Sequence, residues 1–272
     1  MCFERGRIQL PELPEVEIVV RGIRPHLQGQ VIRAAHFHSR RVTRSSFAAN
    51  RAALAGATIT QVERRAKHIL IHLDRGYLHV HLGMTGRLLW NGEPGPYTRA
   101  GLELGEGRLL YDDVRQFGRF EFYRSLPSSV RKLGPDALSI SLEEFSLRLR
   151  RRAGAIKPLL LNQSFLGGLG NIYIDETLFQ AGINPRTHVR RLSSRRVARL
   201  HASIREVLTA AIEHRGSSIS DYVDGDGAPG GFQNLHLVYA KQGCPCSRCG
   251  RTIRRIVIAQ RGTHFCPRCQ RA

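Results

Sequence analysis

The pattern of apolar and polar residues divides the chain into regions with different predicted secondary structure. Residues 14–27 carry closely spaced aliphatic side chains between two prolines, which predicts a short helix with its apolar side on a core. From Gln30 to Arg124 the pattern changes to alternating or β-rich runs, with Gly and Asp between several of them. This second region is therefore predicted to form an antiparallel β domain, either a sandwich or a barrel.

Helical spacing returns after a linker-like segment at 133–138. Ser141 precedes Glu144 by three residues, which is the arrangement of a capping box at the start of a helix. Residues 193–214 carry aliphatic side chains at helical spacing, so residues 137–216 are predicted to be mostly helical. The Gly-rich stretch 221–231 predicts a mobile loop, and the residues that follow it, 232–239, are predicted to be extended.

The charge balance indicates a polyanionic partner. The 272 residues include 42 basic and 22 acidic side chains, a formal net charge of +20, and such an excess most often serves nucleic-acid binding. Nearly all of the basic residues are arginines. A compositional bias of the proteome explains the use of Arg in place of Lys, but it does not explain why basic side chains outnumber acidic ones. No run of about 18 apolar residues predicts a membrane span. The first ten residues lack the apolar core of a secretory signal, so a cytoplasmic protein is expected.

Five of the six cysteines lie close together near the end of the chain. Two C-x-x-C pairs separated by sixteen residues predict one structural Zn²⁺ with four thiolate ligands: Cys246, Cys249, Cys266 and Cys269. Cys244 is expected to be a bystander, although it could compete as a ligand. The β-rich residues between the pairs predict a two-stranded ribbon that carries several arginines. Such a ribbon could grip DNA phosphates, and a solvated basic hairpin is the alternative.

Several short motifs resemble, in order, those of bacterial formamidopyrimidine-DNA glycosylases, which remove 8-oxoguanine and ring-opened purines. They are Pro11-Glu-Leu-Pro-Glu-Val, Arg64-Arg-Ala-Lys-His, His81-Leu-Gly-Met-Thr-Gly, Arg115-Gln-Phe-Gly, Leu133-Gly-Pro, Ile156-Lys-Pro, Gly170-Asn-Ile-Tyr, Ala181-Gly-Ile-Asn-Pro, Gln260-Arg and the four zinc-site cysteines. The resemblance implies an α+β multidomain protein. An extension at 1–10 would precede an antiparallel β-sandwich (11–132), a helix–two-turn–helix domain with the Gly-rich loop (133–231) and a zinc finger (232–272).

The resemblance also implies a catalytic apparatus for a bifunctional glycosylase and AP lyase. In this family an N-terminal proline amine attacks C1′ of the damaged nucleoside and forms an imine, so Pro11 would be the nucleophile. Glu12 would be the acid–base residue beside it. Lys67 matches a lysine near the lesion phosphate. Arg261 matches the zinc-finger arginine that grips that phosphate and is linked to δ-elimination.

A second set of matched residues is implied to bind double-stranded damaged DNA. A base must be flipped out of the duplex before it can react, and Met84, Arg115 and Phe117 match the family's residues that fill the vacated stack. Outside the resemblance, core packing would be the ordinary interpretation of Met84 and Phe117. Asn171 matches a phosphate donor and Lys157 a residue linked to lesion recognition. Glu176 matches a family carboxylate whose role is left open.

The ten residues before Pro11 depart from the family pattern. A peptide-bonded proline nitrogen is an amide and cannot form an imine. Leu10 stands where the family has its initiator Met, and leucine-type codons can initiate translation in bacteria, so the mature protein is expected to begin at Pro11. Two other functions remain open. One is an endonuclease VIII-type glycosylase for oxidised pyrimidines. The other is a non-catalytic lesion-binding protein that keeps residues 1–10. From the resemblance, a monomer associated with nucleoid DNA is expected.

Overall fold

A computed structural model describes residues 10–218 and 230–271 of the chain. Contacts divide these residues into two compact units. The sandwich unit comprises residues 10–132 with 214–218 and 230–231, and the helical unit comprises residues 133–213 and 232–271. The predicted extension at 1–10 and the predicted Gly-rich loop at 221–231 lie outside the described residues, apart from Leu10, Gly230 and Gly231.

The sandwich unit contains two antiparallel four-stranded sheets, so the predicted sandwich is confirmed. One sheet has the strand order β1-β6-β7-β5 and the other the order β2-β3-β4-β8. The strands are β1 (Ile32–Phe37), β2 (Ile59–Arg65), β3 (His68–Leu73), β4 (Gly76–His81), β5 (Gly86–Trp90), β6 (Thr98–Leu104), β7 (Gly107–Asp113) and β8 (Arg119–Tyr123). The alternating side chains of both sheets fill one apolar core.

Three helices complete the sandwich unit: α1 (Leu13–Leu27), α2 (Phe47–Leu54) and α3 (Ser128–Arg131). The helix predicted over 14–27 is present as α1, and it packs its buried side on β2, β3 and β5. Helix α2 was not predicted, because it falls inside the region interpreted as entirely β. The Ser46 hydroxyl caps it by accepting from the Ala49 amide at 3.4 Å.

The helical unit is built from four helices: α4 (Leu142–Arg150), α5 (Ile156–Leu161), α6 (Asn171–Gln180) and α7 (Ser194–Glu213). The Ser141 hydroxyl accepts from the Glu144 amide at 3.1 Å, as expected of an N-cap. Helix α7 matches the prediction over 193–214 closely and packs its apolar side on α4 and α6. No helix among the described residues is both long and apolar enough to span a membrane.

The end of the helical unit is a ribbon of two antiparallel strands, β9 (Arg254–Ile258) and β10 (Arg261–Phe265), as predicted. The extended conformation predicted for 232–239 is wrong at its start, since Phe232–Leu235 form a 3₁₀ turn. The amides of residues 237–239 donate to the Glu176 carboxylate instead of to a neighbouring strand. Their hydrogen bonds are therefore satisfied without a sheet.

Candidate functional site

Two buried carboxylates lie at the N-terminal end of α1, directly after Pro11. Pro11 is buried, whereas the preceding Leu10 is 39% exposed. Glu12 is the N-cap residue and its amide donates to Glu15 Oε2 at 2.8 Å. The other Glu15 oxygen accepts from the Ser217 amide at 2.8 Å. Glu15 thus holds α1 and residues 214–218 together, and the Glu12 carboxylate, adjacent to the proline, accepts from the Glu15 amide to complete a capping box.

Lys67 lies in the turn between β2 and β3, beside a cluster of histidines. Its half-buried side chain follows Ala66, which has a left-handed backbone (φ 55°). A hydrogen bond of 2.8 Å joins His68 Nδ1 to His79 Nε2. The pKa of His68 and of His79 is lowered to about 3 and that of His81 to about 4, mainly by burial, and the charge of Lys67 contributes to this lowering at His68 and His81. The three imidazoles are consequently neutral at pH 7, and the charges beside them are those of Lys67, Arg119 and Glu121.

Two adjoining loops of the sandwich unit, the Met84 loop (82–85) and the Phe117 loop (114–118), carry Met84, Arg115 and Phe117. Phe117 is 59% exposed, and the Arg115 guanidinium lies 4.8 Å from the centre of its ring. Met84 is half-buried. An apolar ring displayed in this way has no role in the core. The core-packing interpretation therefore does not apply to Phe117.

Asp113 holds these two loops together. Its carboxylate is fully buried and accepts from Thr85 Oγ1 at 2.6 Å and from the Gly118 amide at 2.9 Å. The Thr85 hydroxyl in turn accepts from the Arg115 amide at 2.9 Å. Gly83 has a φ of 62°, and a Cβ there would lie 2.6 Å from the Gly118 nitrogen, so only glycine allows this approach.

The other matched residues meet at one carbonyl of the ribbon in the helical unit. Gly262 O accepts from Asn171 Nδ2 at 2.9 Å and from Lys157 Nζ at 3.3 Å. Arg261 precedes this glycine and is exposed, and it forms no ion pair with any described residue. The structure therefore brings Lys157, Asn171 and Arg261 together at the start of β10.

The surroundings of Lys157 differ from those expected of a DNA contact. Its side chain is completely buried, and Nζ lies 2.6 Å from Asp175 Oδ1. An ammonium held in this way cannot reach a phosphate or a base without breaking a buried ion pair, which is costly. The placement favours a role in holding the ribbon rather than in touching DNA.

Glu176 has a clear structural task. Its carboxylate is buried and accepts from the amides of Leu237, Val238 and Tyr239 at 2.8, 3.0 and 2.7 Å. Burial is the largest influence on its pKa and raises it, while the three amide donors act in the opposite direction. Glu176 thereby anchors the segment that leads into the ribbon.

The four predicted zinc ligands form one compact group. All four Sγ atoms lie within 4.8 Å of one another, with 3.9 Å between Cys246 and Cys269 and 3.5 Å between Cys249 and Cys266. A tetrahedral Zn²⁺ with bonds of about 2.3 Å requires sulfur–sulfur separations of about 3.8 Å. The thiols therefore fit a structural Zn²⁺, as predicted, and Cys244 is not part of the group.

Sequence reasoning missed the buried residues that support the site, above all Asp113, Asp175 and the paired His68 and His79. Asp113 comes two residues before Arg115, and Asp175 directly precedes Glu176. The one sequence signal for these supporting residues was their position beside a recognised motif. It does not show which partner a side chain has, because each partner lies on another element.

Models of three protein families match successive parts of the chain. They are the formamidopyrimidine-DNA glycosylase N-terminal domain (10–120), the formamidopyrimidine-DNA glycosylase H2TH domain (133–223) and a zinc finger found in FPG and IleRS (243–272). A curated formamidopyrimidine-DNA glycosylase of Solibacter usitatus is 48% identical over 264 residues, which cover 96% of this chain and 100% of the relative.

Solved structures agree with these matches. The enzyme of Thermus thermophilus is 42% identical with a TM-score of 0.85, covering 96% of this chain and 98% of its own. A variant of the Lactococcus lactis enzyme in complex with DNA containing Fapy-dG is 37% identical with a TM-score of 0.88, covering 96% and 100%. The L. lactis enzyme is also known in complex with DNA containing an abasic site. The chain belongs to the formamidopyrimidine-DNA glycosylase family.

Proposed function

We propose that this protein is a bifunctional DNA glycosylase and AP lyase of base excision repair, which removes oxidised purines from duplex DNA of the nucleoid. The observation that carries the proposal is the pair of loops that display Met84, Arg115 and Phe117, in a chain whose first helix follows a Pro-Glu pair. Relatives with 36–37% identity are known on DNA containing Fapy-dG or an abasic site. The net charge of +20 suits the same partner.

Pro11 and Glu12 supply the chemistry of base removal in this proposal. The Pro11 amine attacks C1′, the bond from C1′ to the base breaks, and the base leaves with a proton. The C1′–O4′ bond then breaks, O4′ takes up a proton, and the nitrogen lone pair completes the iminium. An α-amine suits the task because its unperturbed pKa, about 8, lies well below that of lysine. The Glu12 carboxyl group, one residue away, delivers a proton to the sugar oxygen or through a water molecule.

Strand cleavage follows from the same iminium. Loss of a C2′ proton expels the 3′ oxygen, and a second elimination expels the 5′ oxygen. Each departing phosphate is negatively charged, so cations near it lower the barrier. We assign this part to Lys67 and Arg261, with Asn171 as a further polar contact. Lys157 is assigned a positioning role, since its ammonium is occupied by Asp175.

Phe117, Arg115 and Met84 fill the space that the flipped base leaves. The exposed Phe117 ring is available for stacking against a neighbouring base, and base–aromatic stacking contributes about 1–3 kcal/mol. The Arg115 guanidinium, already against this ring, can face the unpaired base of the opposite strand. The Asp113 contacts hold both loops in place for this purpose.

Substrate preference tests the proposal. Duplexes that contain 8-oxoguanine or thymine glycol should be cleaved at different rates, with 8-oxoguanine the faster. Borohydride should trap a covalent protein–DNA adduct, because it reduces the imine. Faster cleavage of thymine glycol would instead favour the endonuclease VIII type, and tight binding without an adduct would favour a non-catalytic lesion-binding protein.

The working form is proposed to begin at Pro11, since only a free amine can form the imine. The matching N-terminal family model begins at residue 10, and the S. usitatus relative aligns over its whole length with 96% of this chain. Intact mass and N-terminal sequencing of protein from the native cell test this directly. An active protein that retains Met1 or Cys2 would require another amine, with Lys67 the first to examine.

A further inference from the structure

The Asp175 carboxylate joins three elements of the helical unit from a completely buried position. It lies on α6, and its side chain, like that of Lys157, has no exposed surface. Oδ1 accepts from Lys157 of α5 at 2.6 Å. Oδ2 accepts from the His264 amide of β10 at 2.8 Å and lies 3.2 Å from His264 Nδ1. One side chain therefore ties two helices to the second strand of the ribbon.

These bonds fix the part of the ribbon that carries Arg261. Lys157 and Asn171 both donate to the carbonyl of Gly262, between Arg261 and the strand positions that follow it. Two residues further, the amide of His264 is fixed by Asp175. The backbone that follows Arg261 is consequently held at Gly262 and at His264 by side chains of α5 and α6.

Apolar packing alone does not require this arrangement. A buried ion pair loses the hydration of both charges, and apolar residues of similar volume are often as stabilising. What the ion pair adds is a fixed orientation of the groups that it joins, because each hydrogen bond requires a narrow range of distances and angles. Glu176, the next residue, accepts from the amides of the separate segment 237–239. Asp175 is therefore the one of these two carboxylates that bonds to β10.

We propose that Asp175 is a positioning residue for the strand-cleavage step. Through Lys157 and His264 it fixes β10 at Gly262, and thereby sets where the exposed Arg261 guanidinium meets the phosphate at the lesion. The proposal rests on the function proposed above and on the assignment of Arg261 to δ-elimination. The Asp175 side chain itself is completely buried and is assigned no contact with DNA or with the reacting atoms.

The test is the ratio of δ- to β-elimination products on a duplex with a preformed abasic site. This substrate bypasses base removal. Asp175→Asn keeps the size of the side chain but loses its charge and one acceptor oxygen. A displaced cation can lower a rate by about a hundredfold, so Asp175→Asn and Arg261→Ala should each reduce the ratio by about 10- to 100-fold. The double variant should be no lower than Arg261→Ala alone, because both changes remove the same contribution.

Asp136→Asn is the matched control. It makes the same chemical change in the same unit, at a half-buried carboxylate that accepts from the Leu138 amide, and it should keep the wild-type ratio. Zinc content and thermal melting of every variant identify loss of the fold. If Asp175→Asn does not fold, the pair Lys157→Met with Asp175→Leu replaces the network by apolar side chains, and it should still show the reduced ratio.

Each result separates the possibilities. A wild-type ratio in a folded Asp175 variant, or a further fall in the double variant, would overturn the positioning role and leave the proposed function intact. An unchanged ratio in Arg261→Ala would overturn the assignment of Arg261, and the inference about Asp175 with it. Absence of strand cleavage in the wild-type protein would contradict the proposed lyase itself.

Discussion

At the scale of single residues, the structure separates side chains that hold the site from those that it displays. Asp113 belongs to the first group and Phe117 to the second. One is fully buried with hydroxyl and amide donors around it, and the other has more than half of its surface exposed. Substitutions at the two positions should therefore affect different measurements.

Asp113→Ala should destabilise the protein. It leaves the Thr85 hydroxyl and the Gly118 amide without their acceptor in a buried place. Buried donors that lose a charged partner cost about 1–3 kcal/mol each, so the free energy of unfolding should fall by about 2–4 kcal/mol. Urea denaturation measures it. Asp74→Asn, at an exposed carboxylate paired with its neighbour Arg75, should hardly move the midpoint; similar midpoints for both variants would contradict the role of Asp113.

Phe117→Ala should leave stability within about 0.5 kcal/mol, because the ring is mainly exposed. Binding to a duplex with an abasic-site analogue should weaken by about 10- to 100-fold, the equivalent of one lost stacking contact. Fluorescence anisotropy and thermal melting measure the two quantities. Leu147→Ala, at another exposed apolar side chain (49%), is the control. Equal affinities of the two variants would remove Phe117 from the DNA-binding surface.

At the scale of elements, β3 and β4 place three histidines where protonation opposes folding. His79 is 4% exposed and bonded to His68, and the nearby charges come from Lys67, Arg119 and Glu121. The pKa values of His68 and His79 are lowered to about 3, and that of His81 to about 4. The unfolded chain, with histidine pKa values of about 6.5, therefore binds protons that the folded chain does not.

Stability should consequently be highest above pH 6.5 and fall as the pH decreases towards 4. Between pH 7 and pH 5 each of these histidines should lower the free energy of unfolding by about 2 kcal/mol. Carboxylates titrate mainly below this window. His79→Gln should reduce this loss of unfolding free energy by about 2 kcal/mol, the contribution of one histidine. His36→Gln, at an exposed ring, should leave the loss unchanged. Urea denaturation at pH 5, 6 and 7 measures the slope, and a flat profile would show that the cluster is hydrated or charged when folded.

The ribbon is expected to depend on a Zn²⁺ bound by its four cysteines. Its apolar cluster is small and includes two of the zinc-site cysteines, so the Zn²⁺ ligands supply much of its stability. Cys249→Ser should lose the zinc and with it the placement of Arg261. Cys244→Ser should retain one zinc per chain, since Cys244 lies outside the four-thiol group. Metal analysis of both purified variants decides whether Cys244 is a ligand or a bystander.

At the scale of the whole molecule, charge should dominate the encounter with DNA. A formal charge of +20 spread over many arginines releases counterions when phosphates are bound. Affinity for undamaged duplex should fall by about three orders of magnitude between 50 and 200 mM salt. Arg261→Ala should lower the slope of log K against log salt by about one unit, as expected of one phosphate contact. An affinity independent of salt would contradict the proposed binding mode.

The order of the elements was predictable because the signals for it are local. Helical spacing identified α1 and α7, alternation identified the β region, and the two C-x-x-C pairs identified the zinc ligands. Helix α2 escaped this reasoning, since its eight residues lie within a strand-rich region and one Ser cap was their main helical signal. The motif order identified the family in the same local way.

The sequence by itself determined the fold class and the four metal ligands, and it supplied the proposal for the other site residues. Only the tertiary structure decided which partner each charged side chain has. Lys157 can be buried because its ammonium donates to the carboxylate of Asp175, eighteen residues away. The start of 232–239 forms a turn, and the Glu176 carboxylate accepts from the amides that follow. Spacing along a chain reports neighbours within one element, whereas desolvation and pairing depend on side chains that folding brings from other elements.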